Sequence, residues 1–434
     1  MKKIIGTLSL IVILLLSIIL SGCSSKSNAA TANGRVVVDF WTFWGSETRR
    51  PVIEKIVEDF NQSQDKILVK HTFIPWGDIW TKNLAAVAAG NPADVVINDI
   101  NSVSQRAENN QAEDLSKYID QDTFKKQFYP NLWETVLYKD KPYAVPFTTD
   151  TRLLFYNKDA FKEAGLDPNK PPATWKELEE FAGKLDVKQD GKYTRLGFYP
   201  LFGGFGAPSW LKNADNGIGY VENGELKINT PNKVKALEWL TDWQKRYGKK
   251  TIQNYQAEFS NRQTNPFIAG KVAMFTDVAT FYTQIRDSGT KLNFGVTTMP
   301  AFDENSKPWS DGGGFVAEIP KGAKHPKEAM EFINYLTGEK AQTYWAEKNY
   351  DNVANIKASE SVLNGLTGNA KTVYQNAVDS LQYTTLSPVP NQYPDYQERI
   401  NSLVESAVDG KMTAEEALTK AEKDVKKMKK EREE

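Results

Sequence analysis

Apolar runs and segments of helical periodicity alternate along the first part of the chain. The runs Val36–Trp41, Ile67–Phe73 and Asp94–Asn98 are rich in apolar, largely β-favouring residues, a pattern typical of buried strands. Between them, a segment with Pro51 near its start repeats apolar residues at helical spacing, and Lys82–Ala89 is alanine-rich and ends before a glycine. This order predicts an α/β fold in which helices cover both faces of a mainly parallel sheet.

Polar residues follow the third predicted strand at the place where such sheets bind ligands. Ligands of open parallel sheets lie at the carboxyl ends of the strands. Asn98, Asp99 and Asn101 occupy that end. An alternative role is capping, because the residues from Ser102 onward begin another helical stretch. Both roles stay open at this point.

The first residues have the parts of an export signal. Lys2 and Lys3 precede seventeen apolar and small residues, Ile4–Leu20, and the sole cysteine, Cys23, follows. The ending resembles the lipobox of bacterial lipoproteins, which implies a signal peptide at 1–22 and a lipidated Cys23. An uncleaved membrane anchor is the alternative. Residues 23–34 are small and polar and are predicted to be a flexible linker.

Composition excludes several kinds of chemistry. With Cys23 lipidated, no thiol remains for a disulfide or a nucleophile, and only His71 and His325 could offer imidazole to a metal. Lys and Arg number 54 against 55 Asp and Glu, without the basic face that nucleic acid requires. We therefore expect no metal, no cofactor and no nucleic-acid partner.

Aromatic residues are abundant and many lie in turn-like sequence. The chain has 11 Trp and 18 Tyr, and Trp44, Trp76, Trp210 and Trp309 each lie beside Gly, Pro, Ser or Asp. Flat apolar rings among short polar side chains suit a ligand with apolar patches and many hydroxyls, such as a sugar. The alternative is that these rings fix loops to the body of the protein.

Several segments, in this order and spacing, resemble a known family. They are Phe40–Gly45, Ala88–Val96, Tyr143–Phe147, Leu154–Asp159, Ala173–Leu178, Ile268–Met274 and Phe294–Pro300. The chain is similar over roughly 36–396 to the extracellular solute-binding proteins of ABC importers, in particular the carbohydrate-binding, maltose-binding-protein-like group.

The resemblance implies a two-lobe, type II periplasmic-binding-protein-like fold with a sugar held between the lobes. Each lobe would be a mainly parallel sheet flanked by helices. The expected crossing segments lie near 146–153, 276–279 and 319–326. The lobes would then comprise 35–148 with 278–322, and 149–277 with 323–434.

The resemblance also implies positions for ligand contacts. The loop after the first strand, with Trp44, Ser46 and Glu47, matches the first binding loop. Asp150 matches an acidic residue of the crossing strand that accepts hydrogen bonds from sugar hydroxyls, although Arg152 could pair with it instead. The expected ligand-binding residues are Trp44, Ser46, Glu47, Trp76, Asn98, Asp99, Asn101, Asp150, Trp210, Asp277, Tyr282, Trp309, Asp311, Gly312, Gly313, Trp345 and Tyr393.

The glycines at 312–314 are a specific local signal. Three in a row let the backbone pass close to a ligand. A phosphate-binding loop is disfavoured, because Phe315 stands where such a loop requires lysine. Trp345 lies on a predicted helix, 340–348, where core packing is an equal alternative.

Three functions compete at this stage. The first is a monomeric, lipid-anchored protein outside the cytoplasmic membrane that captures a carbohydrate, in particular an oligosaccharide, and delivers it to the permease of an ABC importer. The second is a secreted carbohydrate-active enzyme that uses Asp99 and Asp150 as acid and nucleophile. The third is an adhesion module without a small ligand. The family resemblance favours the first, which is not an enzyme.

Overall fold

The computed structural model of the chain describes residues 34–222, 224–259, 264–393 and 395–433. The predicted signal peptide, Cys23 and nearly all of the predicted linker lie outside the described residues. Within the described ranges, no helix combines the length and the apolar character needed to cross a membrane.

Strands and helices alternate through most of the described chain. The strands are β1 (Val36–Thr42), β2 (Ile67–Phe73), β3 (Val95–Asp99), β4 (Leu137–Tyr138), β5 (Lys141–Pro142), β6 (Val145–Asn157), β7 (Val187–Gln189), β8 (Lys192–Arg195), β9 (Val221–Glu222), β10 (Glu225–Leu226), β11 (Met274–Val278), β12 (Phe294–Thr298), β13 (Ser310–Glu318), β14 (Asn352–Val353) and β15 (Thr384–Leu386). The helices are α1 (Arg50–Ser63), α2 (Asp78–Ala88), α3 (Val103–Glu108), α4 (Gln121–Phe124), α5 (Pro130–Thr135), α6 (Lys158–Glu163), α7 (Trp175–Leu185), α8 (Gly206–Ala214), α9 (Pro231–Tyr247), α10 (Lys249–Phe259), α11 (Phe281–Asp287), α12 (Pro326–Leu336), α13 (Glu339–Asn349), α14 (Ile356–Gly365), α15 (Gly368–Ser380), α16 (Tyr396–Val408) and α17 (Ala414–Glu433).

One sheet path runs through both halves of the molecule. Its strand order is β11-β6-β13-β3-β1-β2. The strands β1, β2 and β3 are parallel, as predicted, whereas β13 pairs antiparallel with β3 and β6, and β6 pairs antiparallel with β11 and β12. Because β6 and β13 run in opposite directions between the two halves, they pair antiparallel with each other.

The first lobe is built around β1, β2 and β3. Alternate residues of β1, including Val38 and Phe40, are fully buried, and α1 packs its apolar face on the same core. Phe332 of α12 meets Phe40 at 5.0 Å between ring centroids. Helices α12, α13 and α14 contribute to this core, which also contains Val145 and Phe147 from the start of β6.

The second lobe has its core around the end of β6. Leu154 packs with residues of α7, α8, α9, α16 and α17 on one face of the sheet. On the other face, Leu153 and Phe155 pack with α11, β11 and β12. The single strand β6 therefore inserts its first residues into one core and its last residues into the other.

This packing corrects the predicted lobe boundaries. Residues 278–309 were assigned to the first lobe, but Phe281 and Met299 lie in the cores of the second. Residues 323–366 were assigned to the second lobe, but Ala329 and Ala358 lie in the core of the first. The crossing predicted near 146–153 lies within β6, whereas those predicted near 276–279 and 319–326 are wrong. The second crossing is β13, and the third runs through α15.

Candidate functional site

A cavity lies where the crossing strands leave one lobe for the other. Its volume is about 390 Å³. The first lobe contributes Trp76, Asp99 and Asn101, while Lys212 of α8 comes from the second lobe. Asp150 of β6 and the β13 residues 311–315 form its base. The two lobes also touch beside it, since the Val389 N–H donates to the Asn101 carbonyl at 2.8 Å.

Asp150 is held by the adjacent crossing strand. One of its oxygens, Oδ1, accepts from the Gly313 N–H at 2.8 Å and from the Arg152 guanidinium. No hydrogen bond among the described residues reaches its second oxygen, Oδ2. Arg152 therefore pairs with Asp150, as the alternative interpretation proposed, but the pairing leaves one carboxylate oxygen for a ligand.

Two of the three glycines of β13 are required by strand packing, whereas a Cβ on Gly313 would meet the Asp150 carboxylate at an ordinary contact distance of 3.5 Å. A Cβ on Gly314 would lie 2.2 Å from the Thr148 carbonyl oxygen, and one on Gly312 would lie 2.5 Å from a methyl group of Thr384. Gly314 also has φ of +151°, a conformation that side chains disfavour. The absence of side chains at 312 and 314 thus lets β13 lie close to β15 and β6, a different reason from the ligand approach expected from the sequence.

A second ion pair forms the second-lobe wall. Lys212 Nζ lies 2.7 Å from both carboxylate oxygens of Asp311 and donates to Ser387 Oγ at 3.1 Å. The Ser209 hydroxyl also donates to Asp311, at 2.6 Å. Lys212 is 6% exposed, so this pair ties α8 to β13 in a largely desolvated position.

The pKa values of Arg152 and Asp277 are both shifted. Burial opposes the charged guanidinium, but the carboxylates of Asp150, Asp311 and Asp277 outweigh it and raise the pKa of Arg152. Burial raises the pKa of Asp277 to about 6, partly offset by the Val278 N–H and by Arg152. Arg152 is thus a cationic group surrounded by three carboxyls.

An aromatic rim borders the cavity on the first-lobe side. Trp76 is 61% exposed, an unusual state for so large an apolar side chain. Its ring meets Phe43 and Trp80 at 4.7 Å and Phe315 at 5.8 Å, each nearly edge-on. We define Phe43, Trp76, Trp80 and Phe315 as the aromatic rim. It offers a flat apolar surface beside the polar base of the cavity.

The structure brings together only part of the predicted site. Those that line the cavity are Trp76, Asp99, Asn101, Asp150, Asp311, Gly312 and Gly313. Ser46 and Glu47 are exposed and do not line it, and Asn98 is buried with its amide donating to Glu318. Asp277 lines a separate cavity of about 680 Å³, and Tyr282 packs on Tyr350 at 4.9 Å.

Five predicted aromatic contacts are core residues instead. They are Trp44, Trp210, Trp309, Trp345 and Tyr393. The indole N–H of Trp210 donates to the Pro200 carbonyl, that of Trp309 to Thr385, and that of Trp345 to Asp351. Because each of these three rings has its polar atom satisfied inside the protein, the ring packs the lobe in this structure and does not reach the cavity.

Five polar residues that line the cavity are absent from the ligand contacts predicted from the sequence. Ser102 entered only as the start of a helical stretch and Arg152 only as an alternative partner of Asp150, while Lys212, Ser387 and Gln397 were not selected. Lys212 lies two residues after Trp210, in a segment already selected for its aromatic residue. Ser387 and Gln397 flank the Pro-rich turn, but no periodic pattern marks them. Within the described ranges, no group of three His, Cys, Asp or Glu side chains is placed to hold a metal ion.

Comparison with known proteins identifies relatives over most of the chain. A family model described as bacterial extracellular solute-binding protein matches residues 44–343. The chain is 26% identical over 435 residues to the maltodextrin-binding protein MdxE of Bacillus subtilis (strain 168), covering 94% of this chain and 93% of that protein. It is 30% identical over 246 residues to the sn-glycerol-3-phosphate-binding periplasmic protein UgpB of Brucella melitensis, covering 52% of each.

Solved structures agree with this result. CpMnBP1 with mannotriose bound has a TM-score of 0.79 and 28% identity, covering 90% of this chain and 100% of that one. Maltose-bound MalE3 of T. maritima has a TM-score of 0.73 at 22% identity, covering 90% and 99%, and this likeness concerns the fold alone. The predicted two-lobe type II fold is confirmed. The family model covers more than half of the length of this chain. The chain therefore belongs to the bacterial extracellular solute-binding protein family.

Proposed function

We propose that this protein captures an oligosaccharide in the cavity between its lobes and delivers it to an ABC importer. The observation that supports the proposal most strongly is the composition of the cavity. It combines the exposed ring of Trp76 with the partly free carboxylate of Asp150, contributed by different parts of the molecule. Sugars present flat apolar faces and hydroxyl edges, and this pair of surfaces matches both.

The hydrogen-bonding groups of the cavity suit hydroxyls. Oδ2 of Asp150 is an ionisable acceptor, and the buried Oδ1 of Asn101 has no partner among the described residues. A carboxylate accepts stronger hydrogen bonds than a neutral oxygen does. A sugar hydroxyl that donates to each would satisfy acceptors that are costly to leave unpaired.

A phosphate ligand, suggested by the relative named for sn-glycerol 3-phosphate, fits less well. An anion is favoured by cationic groups with free donors, by free backbone N–H groups or by an excess of positive charge. Lys212 already contacts both oxygens of Asp311, and Arg152 contacts Asp150. With these cations neutralised, the cavity favours an uncharged polyol over a phosphate.

The enzymatic alternative also lacks support. A glycosidase needs one cleft carboxylic acid that keeps its proton. Asp150 acts as an acceptor towards Arg152 and Gly313, and Asp99 accepts from the Ser102 hydroxyl at 2.7 Å. We therefore propose binding without chemical conversion of the sugar.

Transport would follow from lobe closure. A ligand that touches both lobes stabilises the state in which both sets of contacts form, and a permease could recognise that state. We further propose that lipidated Cys23 holds the protein, as a monomer, at the outer face of the cytoplasmic membrane. Two acyl chains would suffice for a stable anchor.

Isothermal titration calorimetry tests the proposal. The purified protein is titrated with mannotriose, maltotriose and sn-glycerol 3-phosphate, and each sugar is recovered and analysed for cleavage. We expect saturable binding of at least one trisaccharide, recovered intact, and no binding of the phosphate. Binding of the phosphate alone, or cleavage of the sugar, would contradict the proposal.

A further inference from the structure

An ion pair of the first lobe lies next to the end of β3. Glu318, the last residue of β13, is fully buried, and the side chain of Arg106, on α3, is 11% exposed. Arg106 Nε donates to Glu318 Oε2 at 2.7 Å. Neither residue lines the cavity between the lobes. Because desolvation of two buried charges offsets much of their attraction, such a pair contributes little net stability, and the reason for its presence is sought in what else it contacts.

The pair is connected to both backbone polar groups of Asp99. The second donor of the guanidinium, Arg106 Nη2, donates to the Asp99 carbonyl at 2.9 Å. Glu318 Oε1 accepts from the side-chain amide of Asn98 at 3.2 Å, and the side-chain oxygen of Asn98 accepts from the Asp99 N–H at 3.1 Å. One ion pair therefore holds the carbonyl of Asp99 directly and its N–H through Asn98.

The residues fixed in this way carry polar groups of the first-lobe wall. Asp99 and Asn101 line the cavity, and the short helical turn Ile100–Ser102 begins directly after Asp99. The buried Oδ1 of Asn101 has no hydrogen-bond partner among the described residues. A displacement of the Asp99 backbone would move both side chains relative to a bound ligand. Binding groups need supporting hydrogen bonds of this kind to hold them within about 0.5 Å of a productive position.

The chemistry of arginine suits this arrangement. Burial raises the pKa of Glu318, and Arg106 and the Asn98 amide offset part of that rise, which favours the charged acceptor. Two nitrogens of one rigid, planar guanidinium reach Glu318 and the Asp99 carbonyl at the same time. A lysine ammonium would keep the charge but not this fork of donors.

We propose that Arg106, supported by Glu318, is a positioning residue for the sugar site, which fixes Asp99 and Asn101 without touching the ligand. This proposal rests on the proposed function and adds a determinant of affinity outside the cavity. Because β13 carries Glu318 at one end and the base of the cavity nearer the other, the ion pair also fixes the first-lobe wall relative to that base.

Binding measurements on three variants test this role. Arg106→Met removes both hydrogen bonds of the guanidinium, and Arg106→Lys keeps the charge without the fork. Arg246→Met is the control, because Arg246 pairs with Asp186 at 2.8 Å in the second lobe and does not line the cavity. Calorimetry uses mannotriose or maltotriose, whichever the unmodified protein binds more tightly. Circular dichroism and thermal midpoints check folding.

A double-mutant cycle separates positioning from a general loss of stability. Asn101→Ala removes one of the groups that Arg106 is proposed to position, so Arg106→Met should matter less in that background. We expect Arg106→Met alone to weaken trisaccharide binding about tenfold, Arg106→Lys about threefold to fivefold, and Arg246→Met less than twofold. In the Asn101→Ala background, Arg106→Met should weaken binding about threefold or less.

Two results would overturn the positioning role and leave the proposed function intact. One is an unchanged trisaccharide affinity of folded Arg106→Met, and the other is a loss of the same size with and without Asn101→Ala. If Arg106→Met does not fold, Arg106→Lys undergoes the same comparison. If the unmodified protein bound no trisaccharide, the proposed function would fail and the positioning role with it.

Discussion

The two walls of the cavity between the lobes differ in chemical character. On the first-lobe side, the aromatic rim turns the ring of Trp76 towards solvent, at 61% exposed. On the second-lobe side, Trp210 is fully buried in the core. The residues that line the cavity there are Lys212 and Asp311. One lobe thus offers an apolar plane and the other offers charges. Neither wall alone matches a sugar, which explains why a ligand would favour the state that brings both together.

The largest expected effect concerns the charged wall. Asp311→Ala would leave Lys212, 6% exposed, without the carboxylate that it contacts at 2.7 Å. Removing one partner of a buried pair typically costs about 3–5 kcal/mol, and partial exposure of Asp311 places this case near the lower end. Urea denaturation should show this loss. Asp242→Ala, which breaks the exposed pair with Lys245, is the control and should change the stability little. Equal losses would show that burial is not what makes the wall important.

The aromatic rim should contribute to ligand binding and not to the stability of the fold. Trp76→Ala removes an exposed ring, so the free energy of unfolding should change little. Loss of ring stacking on a sugar should weaken trisaccharide binding about tenfold, or about 1.4 kcal/mol. Calorimetry measures the affinity, with Leu84→Ala as a control at another exposed apolar residue. An unchanged affinity for Trp76→Ala would remove the rim from the site.

The smallest effect concerns Asp277, a carboxyl of the second lobe to which no cation donates a hydrogen bond among the described residues. Its pKa is raised to about 6, so the folded state binds this proton more tightly than the unfolded state does. Above pH 6 the charged carboxylate of Asp277 therefore lowers the free energy of unfolding. This loss of stability disappears as the pH falls towards 4. Asp277→Asn should therefore be more stable than the unmodified protein by about 1 kcal/mol at pH 7. Denaturation at both pH values tests this, and a pH-independent difference would contradict it.

Local pattern predicted the elements of the first lobe well. The three predicted strands correspond to β1, β2 and β3, and the predicted helix 340–348 corresponds to α13, Glu339–Asn349. These elements are specified by periodicity over their own length. The division between lobes is not, because β6 serves both cores and the residues that flank it return from distant positions.

The aromatic residues show the same limit at the site. Trp76 and Trp210 each follow a proline within two residues, yet one is exposed and the other is buried. The stretch before Trp210 reads as a loop, but Pro208 is accommodated in the first turn of α8, and the helix turns the ring inward. Likewise, Gly312 and Gly314 are explained by the contacts of Thr384 and Thr148, which come from distant segments.

Hydrogen exchange with mass spectrometry can show whether one ligand contacts both lobes, because it reports on each wall separately. The protein is compared with and without a saturating trisaccharide. We expect exchange to slow both in the loop around Trp76 and in α8 around Lys212, two segments from different lobes. Protection confined to one lobe, at full occupancy, would contradict a ligand that bridges the cavity.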